Sequence, residues 1–361
     1  MKRVLIAMSG GVDSSVAAYL LHKQGYDCVG VTMKLYENET VGCKRANTCC
    51  SLDDIEDARS VAYRIGIPYH VFNFTADFEG EVIRRFVDAY EHGCTPNPCI
   101  DCNRYLKFER LYRRARELGC DFIATGHYAR VTQDGTQYTL RKAVDAGKDQ
   151  SYVLYSMTQE QLAHTLFPLG ELHKDEVRRI AKEQGFLNAR KHDSQDICFV
   201  PDGDYASFLQ RYTGKIYPKG DFVDRSGTVI GTHRGIIRYT IGQRKGLGIA
   251  ADAPLYVREK SVCDNTVTLC RAHELFSHAL QATDCNWIAG APPAQPIAVT
   301  ARIRYRQPEQ PATAAALPDG GLCVTFDTPQ RAIAPGQAVV LYAGDTVLGG
   351  ATIAREVPPS H

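Results

Sequence analysis

The sequence predicts an α/β protein: a parallel-sheet domain comes first, a small central α+β domain follows, and a β-barrel ends the chain. Patterns of buried strand and amphipathic helix alternate through the first domain, which is typical of a parallel sheet with helices on both faces. After Asp204 short strand patterns lie between glycine turns. From about Leu280 to Arg355 the chain is strand-like, which indicates a small closed barrel. The predicted domains cover residues 1–203, 204–278 and 279–361.

The individual elements follow from apolar runs and from the residues that end them. Ser51 is an N-cap candidate, and Gly66, Gly93 and Gly119 end helical patterns. The strands predicted for the first sheet are Val4–Met8, Cys28–Met33, Tyr69–Phe72 and Phe122–Ala124. The predicted helices are Ser14–Gln24, Ser51–Ile65, Phe78–His92, Cys102–Leu118, Thr158–Leu166 and Lys174–Gln184. Later strands are predicted over Phe222–Val223, Thr228–Gly231, Ile236–Tyr239, Ile297–Tyr305, Leu322–Phe326, Ala338–Tyr342 and Thr346–Ala354.

Length and composition bound the kind of protein. A chain of 361 residues, 44% apolar and 23% charged, has an ordinary globular composition and calls for two or three domains. The net charge of +1 gives no global basic field, so any nucleic acid must be contacted through local patches. The apolar runs are too short to span a membrane, and Gly10 interrupts the first too early for a signal peptide. We expect a cytoplasmic protein without membrane contact.

The segment Ser9–Ser14, which reads Ser-Gly-Gly-Val-Asp-Ser, connects the first strand to the first helix. Gly10 and Gly11 lack Cβ atoms, so backbone N–H groups can approach an anion, and the helix start adds unpaired donors and a positive dipole end. Together they predict a phosphate cradle. No Gly-Lys-Ser/Thr follows, so the loop is not of the Walker A type. It resembles the SGGxDS loop of the ATP pyrophosphatases, which bind the pyrophosphate of ATP.

The thirteen cysteines are odd in number and irregular in spacing, which favours thiol chemistry or metal over a disulfide framework. In Thr95–Asn103 two prolines force an extended approach that puts Cys102 at or near a helix start. A thiolate is favoured there by the helix dipole, and Arg104 and Lys107 add positive potential. We interpret Cys102 as a reactive thiol. No second ligand pair stands nearby at zinc spacing.

Cys198 and a group of three further cysteines are weaker candidates for thiol or metal chemistry. Cys198 stands between Ile197 and Phe199, where a lone cysteine is more often a buried apolar residue, and it gains interest only from the first reactive thiol. A polar insert carries three more thiols whose spacing fits no standard metal site. A flexible loop is favoured over a metal site for Cys43, Cys49 and Cys50.

Two basic patches could contact nucleic acid. From Arg211 to Lys260 ten Lys or Arg residues oppose four Asp or Glu residues. Arg302, Arg304 and Arg306 alternate along one predicted strand, which would place all three on one face. Such a face suits phosphate contacts, although a solvated surface is the alternative for either patch.

Several further segments carry a family resemblance. The phosphate loop, Thr95–Asn103, TGHYAR at 125–130, GKDQSYVL at 147–154, DSQDICF at 193–199 and the strand Arg302–Arg306 occur in this order in tRNA-specific 2-thiouridylases. The chain resembles that family over nearly its whole length. Members replace the C2 oxygen of the wobble uridine of tRNA by sulfur, at the expense of ATP.

The resemblance implies an ATP pyrophosphatase domain and assigns functions to residues. Cys102 would be the nucleophile, and Cys198 would carry a persulfide loaded by a cysteine desulfurase or a sulfur-relay protein. Asp13 would lie with Mg²⁺ at the phosphates, and no residue set is assigned to a protein-bound metal. ATP would contact Ala7, Met8, Ser9, Gly10, Gly11, Val12, Asp13, Ser14, Met33 and Gly126. tRNA would contact Asn97, Pro98, Cys99, Lys148, Asp149, Gln150, Arg304 and Tyr305.

Some alternatives stay open. Well-known members carry Asp where this chain has Cys99, so the general base is not assigned. Cys99, Cys102 and Cys198 could instead hold a [4Fe–4S] cluster with one open iron that binds sulfide. An ATP pyrophosphatase that amidates a small acid would leave the cysteine pair unexplained. A tRNA-binding module with a vestigial nucleotide loop is disfavoured by the intact Ser9 and Asp13.

Overall fold

A parallel sheet forms the centre of the first domain, as predicted. The computed structural model describes residues 1–37, 52–191, 197–200 and 202–357. Within them the strands, numbered along the chain, run in the order β3-β2-β1-β4-β7. Every neighbouring pair is parallel. The strands are β1 Arg3–Ala7, β2 Asp27–Lys34, β3 Tyr69–Asn73, β4 Phe122–Ala124 and β7 Thr165–Leu166.

Helices cover both faces of this sheet. Side chains alternate along β1. Val4 and Ile6 pack on one face with the helices Val12–Lys23, Leu52–Ile65 and Lys174–Glu183, and Leu5 packs on the other face with the helices over residues 75–91 and 98–117. Among the described residues no helix is long and apolar enough to cross a membrane. The helices are α1 Val12–Lys23, α2 Leu52–Ile65, α3 Thr75–Phe78 with Glu79–Ile83 and Arg84–Glu91, α4 Pro98–Asp101 with Cys102–Arg110 and Leu111–Glu117, α5 Gln159–Ala163, α6 Lys174–Glu183 and α7 Tyr205–Thr213.

The sequence of connections reverses at β1. The chain moves from β1 through β2 to β3 on one side, and then crosses to β4 and β7 on the other. Ligands of such sheets bind outside the carboxyl ends of the strands at the reversal. The end of β1 and the start of α1 lie at that point, so the fold itself marks the predicted phosphate loop as a binding position.

Two predicted elements differ from the structure in the kind of secondary structure they form. The helix predicted over Thr158–Leu166 ends early, and Thr165–Leu166 forms the edge strand β7 instead. The strand predicted over Ile236–Tyr239 is a single 3₁₀ turn, Ile236–Arg238. Gly235 precedes this turn with φ +105°, a conformation that breaks an extended run. A short apolar run does not by itself separate these possibilities.

The central domain contains a second, mixed sheet. Among the described residues its strands run in the order β10-β11-β8-β9, and β11 pairs with β8 in parallel. The strands are β8 Gly220–Val223, β9 Val229–His233, β10 Tyr256–Ser261 and β11 Thr266–Cys270. Together with α7 they form the predicted small α+β domain.

The last domain is a closed β-barrel, as predicted. Its strands follow the order β12-β15-β14-β13-β16-β17 in the described chain, and pairing of β12 with β17 closes the barrel. Closure leaves no exposed sheet edge along these strands. The strands are β12 Phe276–Trp287, β13 Ile297–Arg302, β14 Gln310–Ala316, β15 Leu322–Arg331, β16 Ala338–Ala343 and β17 Thr346–Val357.

A hairpin of the first domain joins the barrel. Strands β5 Ala129–Asp134 and β6 Gln137–Lys142 pair with each other, and β6 meets β17 where Arg141 faces Thr346. Asp345 of the barrel accepts from the guanidinium groups of Arg130 and Arg141, each at 2.9 Å. The hairpin therefore docks the nucleotide domain onto the barrel.

Candidate nucleotide and thiol site

The loop after β1 has the geometry of an anion cradle. Gly10 has φ +73°, and a Cβ there would lie 2.3 Å from the carbonyl oxygen of Asp54. Glycine meets both requirements, because it tolerates positive φ and leaves room for the neighbouring backbone. Helix α1 begins at Val12, and its N-cap Gly11 has no side chain that could accept from the first turn. The N–H groups of that turn remain available to an anion.

The residues predicted to bind ATP lie around this cradle. Ser14 Oγ accepts from Ser9 N–H and donates to the Gly11 carbonyl, each at 3.1 Å. Gly126 follows β4, and a Cβ there would lie 2.7 Å from Ser14 N. Met33 is buried on the adjacent strand β2. The structure thus brings the loop and Gly126 into contact, with Met33 one strand away.

A buried lysine, which the sequence reasoning missed, reaches the loop. Lys174 opens α6, is 7% exposed, and donates to both carboxylate oxygens of Asp13 at 2.7 and 2.8 Å. The hydroxyl of Tyr128 donates to Asp13 Oδ1 at 2.8 Å. The loop has no P-loop lysine of its own, and Lys174 supplies a cation from a distant part of the chain. No local sequence pattern around Lys174 indicates this contact.

Two further residues support the loop from behind and were also missed. Asn188 is buried and donates through Nδ2 to the Gly10 carbonyl and to Ser15 Oγ, each at 2.9 Å. Lys191 donates to Asp57 Oδ2 at 2.8 Å and to Asp54, the residue against which Gly10 packs. These contacts fix the back of the cradle.

The cysteine segment differs from its prediction in one respect. The helix begins at Pro98 rather than at Cys102, and Asn97 caps it by accepting from Cys99 N–H at 3.2 Å. The N–H of Cys102 is bonded to the carbonyls of Pro98 and Cys99. Cys99 therefore occupies the first turn, and Cys102 lies one turn further in, where a π-helical stretch begins. Such stretches are frequent at functional sites.

The second thiol packs against the same apolar cluster as the first. Cys102 and Cys198 are both partly buried against it, and the carbonyl of Cys198 accepts from the hydroxyl of Tyr36 at 2.9 Å. None of the described cysteines forms a disulfide. Residues 192–196 lie outside the described residues, and so do the insert thiols Cys43, Cys49 and Cys50.

A buried polar chain connects the cradle to the cysteine helix. His127 Nδ1 lies 2.7 Å from Thr125 Oγ1, and its Nε2 lies 3.5 Å from the ammonium of Lys107 on α4. That ammonium also donates to Asn103 Oδ1 at 2.9 Å. Burial, and then the charge of Lys107, hold the pKa of His127 well below its usual value. His127 is therefore neutral near pH 7, with Nε2 the acceptor.

Asp101, between Cys99 and Cys102 in the sequence, is partly buried among charged groups. Burial raises the pKa of Asp101 to about 7, against the opposing effects of Arg85 and Arg104. The guanidinium of Arg104 forms an ion pair with Asp284 on β12 of the barrel. The start of α4 is thus electrostatically connected to the last domain.

Two of the residues assigned to tRNA make internal contacts. The carboxylate of Asp149 is buried and accepts from Ala143 N, Ser151 N and Ser151 Oγ, the last at 2.8 Å. Gln150 Oε1 accepts from Tyr128 N at 2.9 Å. These bonds hold the turn in which Lys148 lies half-buried. In this structure Asp149 stabilises the turn.

Tyr305 lies close to the cysteine segment. Its ring is 5.9 Å from that of Tyr152, and its hydroxyl lies 3.5 Å from the Asp149 carbonyl. Burial, and then the charges of Asp149 and Cys99, raise the pKa of the Tyr305 phenol. The structure therefore brings two of the predicted tRNA residues, Asp149 and Tyr305, into contact, and the charge of Cys99 acts on the Tyr305 phenol.

The prediction that Arg302, Arg304 and Arg306 share one strand face is wrong. Strand β13 ends at Arg302, whose Nη2 donates to Glu309 at 3.1 Å. Arg304 follows in a bend and donates through Nη2 to the carbonyls of Ile241 and Ala332. Arg306 is exposed in the turn after it. The prediction extended the strand to Tyr305, beyond Arg302, where β13 ends.

The basic stretch of the central domain is partly used for domain contacts. Lys215 donates to both oxygens of Glu91 at 2.8 Å, and Arg258 forms an ion pair with Glu356. Burial lowers the pKa of Lys260 to about 8. The net charge counted along the sequence therefore overstates the charge that this domain presents to a ligand.

Fold and site together define a nucleotide-binding α/β domain followed by a small α+β domain and a β-barrel. Three family models match the chain: a tRNA methyl transferase HUP domain over residues 2–202, a PRC-barrel domain over 206–271 and an aminomethyltransferase β-barrel domain over 277–353. The tRNA-specific 2-thiouridylase MnmA of Clostridioides difficile is 49% identical over 99% of both chains. That of Acetivibrio thermocellus is 50% identical over 98% of this chain and 99% of its own.

The chain belongs to the tRNA-specific 2-thiouridylase family. Solved structures with weaker similarity include an NMN synthetase from Francisella tularensis, with TM-score 0.34, 17% identity and coverage of 59% of this chain and 78% of that one. A 4-thiouridine synthetase–RNA complex with bound ATP has TM-score 0.32 and 21% identity, with coverage of 59% and 50%.

Proposed function

We propose that this protein catalyses the ATP-dependent 2-thiolation of the wobble uridine, position 34, of tRNA. One observation carries the proposal beyond family membership. Gly126 touches the phosphate loop at Ser14, and the next residue, His127, contacts Lys107 on the helix that holds Cys102. A nucleotide cradle and a cysteine helix are thereby parts of one site. We propose the cytoplasm as the place of this reaction, because tRNA is modified there.

The first step is activation of the base. A uracil carbonyl oxygen is a poor leaving group, and attack of that oxygen on the α-phosphorus of ATP converts it into an adenylate with release of pyrophosphate. The N–H groups at the start of α1 bind the departing pyrophosphate, and Lys174 stands beside them with its charge balanced by Asp13. The other ATP contacts are those of the loop Ala7–Ser14, Met33 and Gly126.

The second step is sulfur transfer between two thiols. A persulfide on Cys198 attacks C2 with its terminal sulfur, and AMP leaves. The Cys102 thiolate then attacks Cys198 Sγ. The bond between Cys198 Sγ and the transferred sulfur breaks, a Cys102–Cys198 disulfide forms, and the transferred sulfur stays on C2 as 2-thiouridine. A dithiol reductant restores both thiols, and a cysteine desulfurase or sulfur-relay protein reloads Cys198.

The tRNA is held where the three domains meet. The wobble base lies in a single-stranded loop and can enter a pocket without disruption of a duplex. We assign Asn97, Pro98 and Cys99 to the neighbourhood of the base, and Lys148, Asp149, Gln150, Arg304 and Tyr305 to the surrounding tRNA, with domain limits at 1–203, 204–278 and 279–361. The proximity of Tyr305 to Cys99 supports this assignment.

Metal groups fit this site poorly. The family implies Mg²⁺ with ATP, but both oxygens of Asp13 accept from the ammonium of Lys174, whose positive charge opposes a second cation at the same carboxylate. We assign Asp13 to orienting Lys174 and expect Mg²⁺ on the phosphates. Among the described residues no three His, Cys, Asp or Glu side chains form a metal-holding group, so Cys99, Cys102 and Cys198 do not fit a [4Fe–4S] cluster as placed.

Labelled sulfur distinguishes the persulfide scheme from its alternatives. Cys198→Ser should accept no sulfur yet still adenylate tRNA, whereas Cys102→Ser should accept sulfur on Cys198 and stall. The wild type should hold a Cys102–Cys198 disulfide after one turnover without reductant. Peptide mapping that finds the label on Cys99 or on the Cys43–Cys50 insert contradicts the assignment. Thiolation that requires bound iron and labile sulfide contradicts the scheme, and pyrophosphate release without RNA contradicts the substrate.

A further inference from the structure

A short segment of the barrel holds the chain just ahead of the cysteine helix. We call this segment, Ala332–Gln337 between β15 and β16, the barrel tether. Thr95 N–H donates to the carbonyl of Pro335 at 2.8 Å. The amide of Gln337 donates through Nε2 to the Thr95 carbonyl at 2.8 Å and to the Pro96 carbonyl at 3.4 Å. The backbone of Thr95–Pro96, outside any helix or strand, finds its hydrogen-bond partners in another domain.

The barrel tether packs closely against Cys94 and Thr95, and backbone hydrogen bonds hold it to β17. Gly336 has φ +87°, and a Cβ there would lie 2.9 Å from Cys94 Cβ and 3.0 Å from Thr95 N. Gly336 N–H donates to the Ile353 carbonyl, and Ile353 N–H donates to the Gln337 carbonyl, each at 2.8 Å. The tether is therefore fixed to β17, and it leaves Thr95 little freedom to move.

The other end of the tether contacts a residue assigned to tRNA. Arg304 donates through Nη2 to the carbonyl of Ala332 at 3.0 Å and to that of Ile241 in the central domain at 3.1 Å. Ala332 has φ +56° and donates its own N–H to the Leu275 carbonyl at 2.8 Å. One segment thus connects Arg304 to the chain that leads into the cysteine helix.

We propose that Gln337 is a positioning residue for the thiol chemistry, and that the barrel tether sets where the cysteine helix begins. Asn97, which caps that helix, follows Pro96 directly, so a shift at Thr95–Pro96 is passed to Cys99 and Cys102. Misplacement of a reacting group by about 1 Å can cost roughly a hundredfold in rate. The proposal rests on the proposed function, and it adds a residue that touches neither ATP nor the thiols.

A purely structural role for Gln337 would have a different signature from a positioning role. Loss of domain adhesion lowers stability and weakens tRNA binding together. Loss of positioning leaves the dissociation constant for tRNA nearly unchanged and slows the chemical step at saturating tRNA and ATP. It also changes how fast Cys102 reacts with a neutral alkylating reagent, which is measurable without any turnover.

The test uses the full-length protein with Gln337→Met, which keeps the side-chain volume, and Gln337→Glu, which keeps the shape but places acceptors against the two carbonyls. Gln281→Ala, on barrel strand β12 with its oxygen bonded to Arg355, is the matched control. Thermal unfolding, tRNA binding, single-turnover thiolation and iodoacetamide labelling of Cys102 are measured for each protein.

Both Gln337 variants should bind tRNA within about twofold of the wild type, thiolate about tenfold more slowly, and show an altered Cys102 alkylation rate. The control should match the wild type in all of these. Unchanged alkylation and turnover would overturn the proposal, and so would a rate loss that only follows weaker tRNA binding. A wild type that labels normally but never thiolates tRNA would instead contradict the proposed function.

Discussion

The charge pair of Asp13 and Lys174 is the central feature at the scale of single residues. The sequence predicted the importance of Asp13 from its place in a six-residue motif, but Lys174 lies far along the chain and has no motif of its own. Its ammonium is almost fully buried and both carboxylate oxygens of Asp13 accept from it. A buried charge costs much less free energy when it is paired and hydrogen-bonded in this way. The pair therefore keeps a cation beside the phosphate cradle.

Substitutions at this pair should separate charge from stability. Asp13→Ala should abolish pyrophosphate release, and Lys174→Met should reduce it at least tenfold while also lowering the melting temperature, because each leaves a charge without its partner. The double variant Asp13→Ala/Lys174→Met should regain stability without regaining activity. Pyrophosphate release and thermal unfolding of the four proteins decide this. Recovery of activity in the double variant would show that the pair is only structural.

Arg304 carries the prediction for tRNA at the same scale. Arg304→Ala should weaken tRNA binding and lower the salt slope of the binding constant by about one unit, as expected for one phosphate contact. ATP affinity should stay the same. Lys182→Ala, which removes an exposed cation on α6, is the control and should leave the slope unchanged. A slope for Arg304→Ala equal to that of the wild type would assign Arg304 to domain contacts alone.

At the scale of elements, α4 decides how the thiols are presented. The prolines correctly predicted an extended approach, but proline is also favoured in the first turn of a helix, and Pro98 begins the helix here. The prediction used only the extended approach before a proline, so it began the helix at Cys102, about one turn after its actual start at Pro98. Arg104 is three residues from Asp101 on the same helix, but the placement of Asp101 beside Arg85 and Asp284 could not be predicted, because those groups come from α3 and the barrel.

The raised pKa of Asp101 predicts a pH dependence of stability. An aspartate has a pKa of about 3.9 in the unfolded chain, and burial raises that of Asp101 to about 7 in the folded protein. Between these values the folded state holds a proton that the unfolded state has lost, so the free energy of unfolding falls as pH rises. Asp101→Asn removes that loss, and its stability relative to the wild type should increase from pH 5 to pH 8.

Denaturant unfolding at several pH values measures this difference. Asp53→Asn, which removes an exposed carboxylate in the first turn of α2, is the matched control, and the difference for Asp101→Asn should rise more steeply with pH than the difference for this control. A flat difference for Asp101→Asn would contradict the raised pKa. Activity of the Asp101→Asn variant, measured in parallel, reports whether the proton itself is used in the thiol chemistry.

At the scale of the whole molecule, the sequence predicted the three architectures but not how they join. The periodicity of apolar residues and the spacing of glycines predicted the parallel sheet, the small central domain and the barrel. The hairpin β5–β6 was overlooked, although Asp134-Gly135 between alternating strands is a hairpin signal. Its pairing with β17, the ion pairs of Asp345 and the barrel tether depend on residues distant in sequence. Such contacts leave no local pattern.

These contacts between domains place parts of the proposed site under the control of the barrel. The barrel holds the cysteine segment through the tether and holds α4 through the Arg104–Asp284 pair, while the hairpin binds the nucleotide domain to the same barrel. We therefore expect the proposed chemistry to require the assembled protein and not the nucleotide domain alone. In the proposed function, this assembly moves sulfur onto the wobble uridine of tRNA at the expense of ATP.

Mass spectrometry of tRNA nucleosides tests that claim most directly. Unmodified tRNA is incubated with the protein, ATP, Mg²⁺ and a sulfur source, and its nucleosides are then separated and identified. We expect replacement of one oxygen by sulfur at C2 of the position-34 uridine, dependent on ATP, with one AMP formed for each sulfur transferred. ATP turnover to AMP and pyrophosphate that leaves every uridine unchanged, or sulfur found at another nucleoside, would contradict the account.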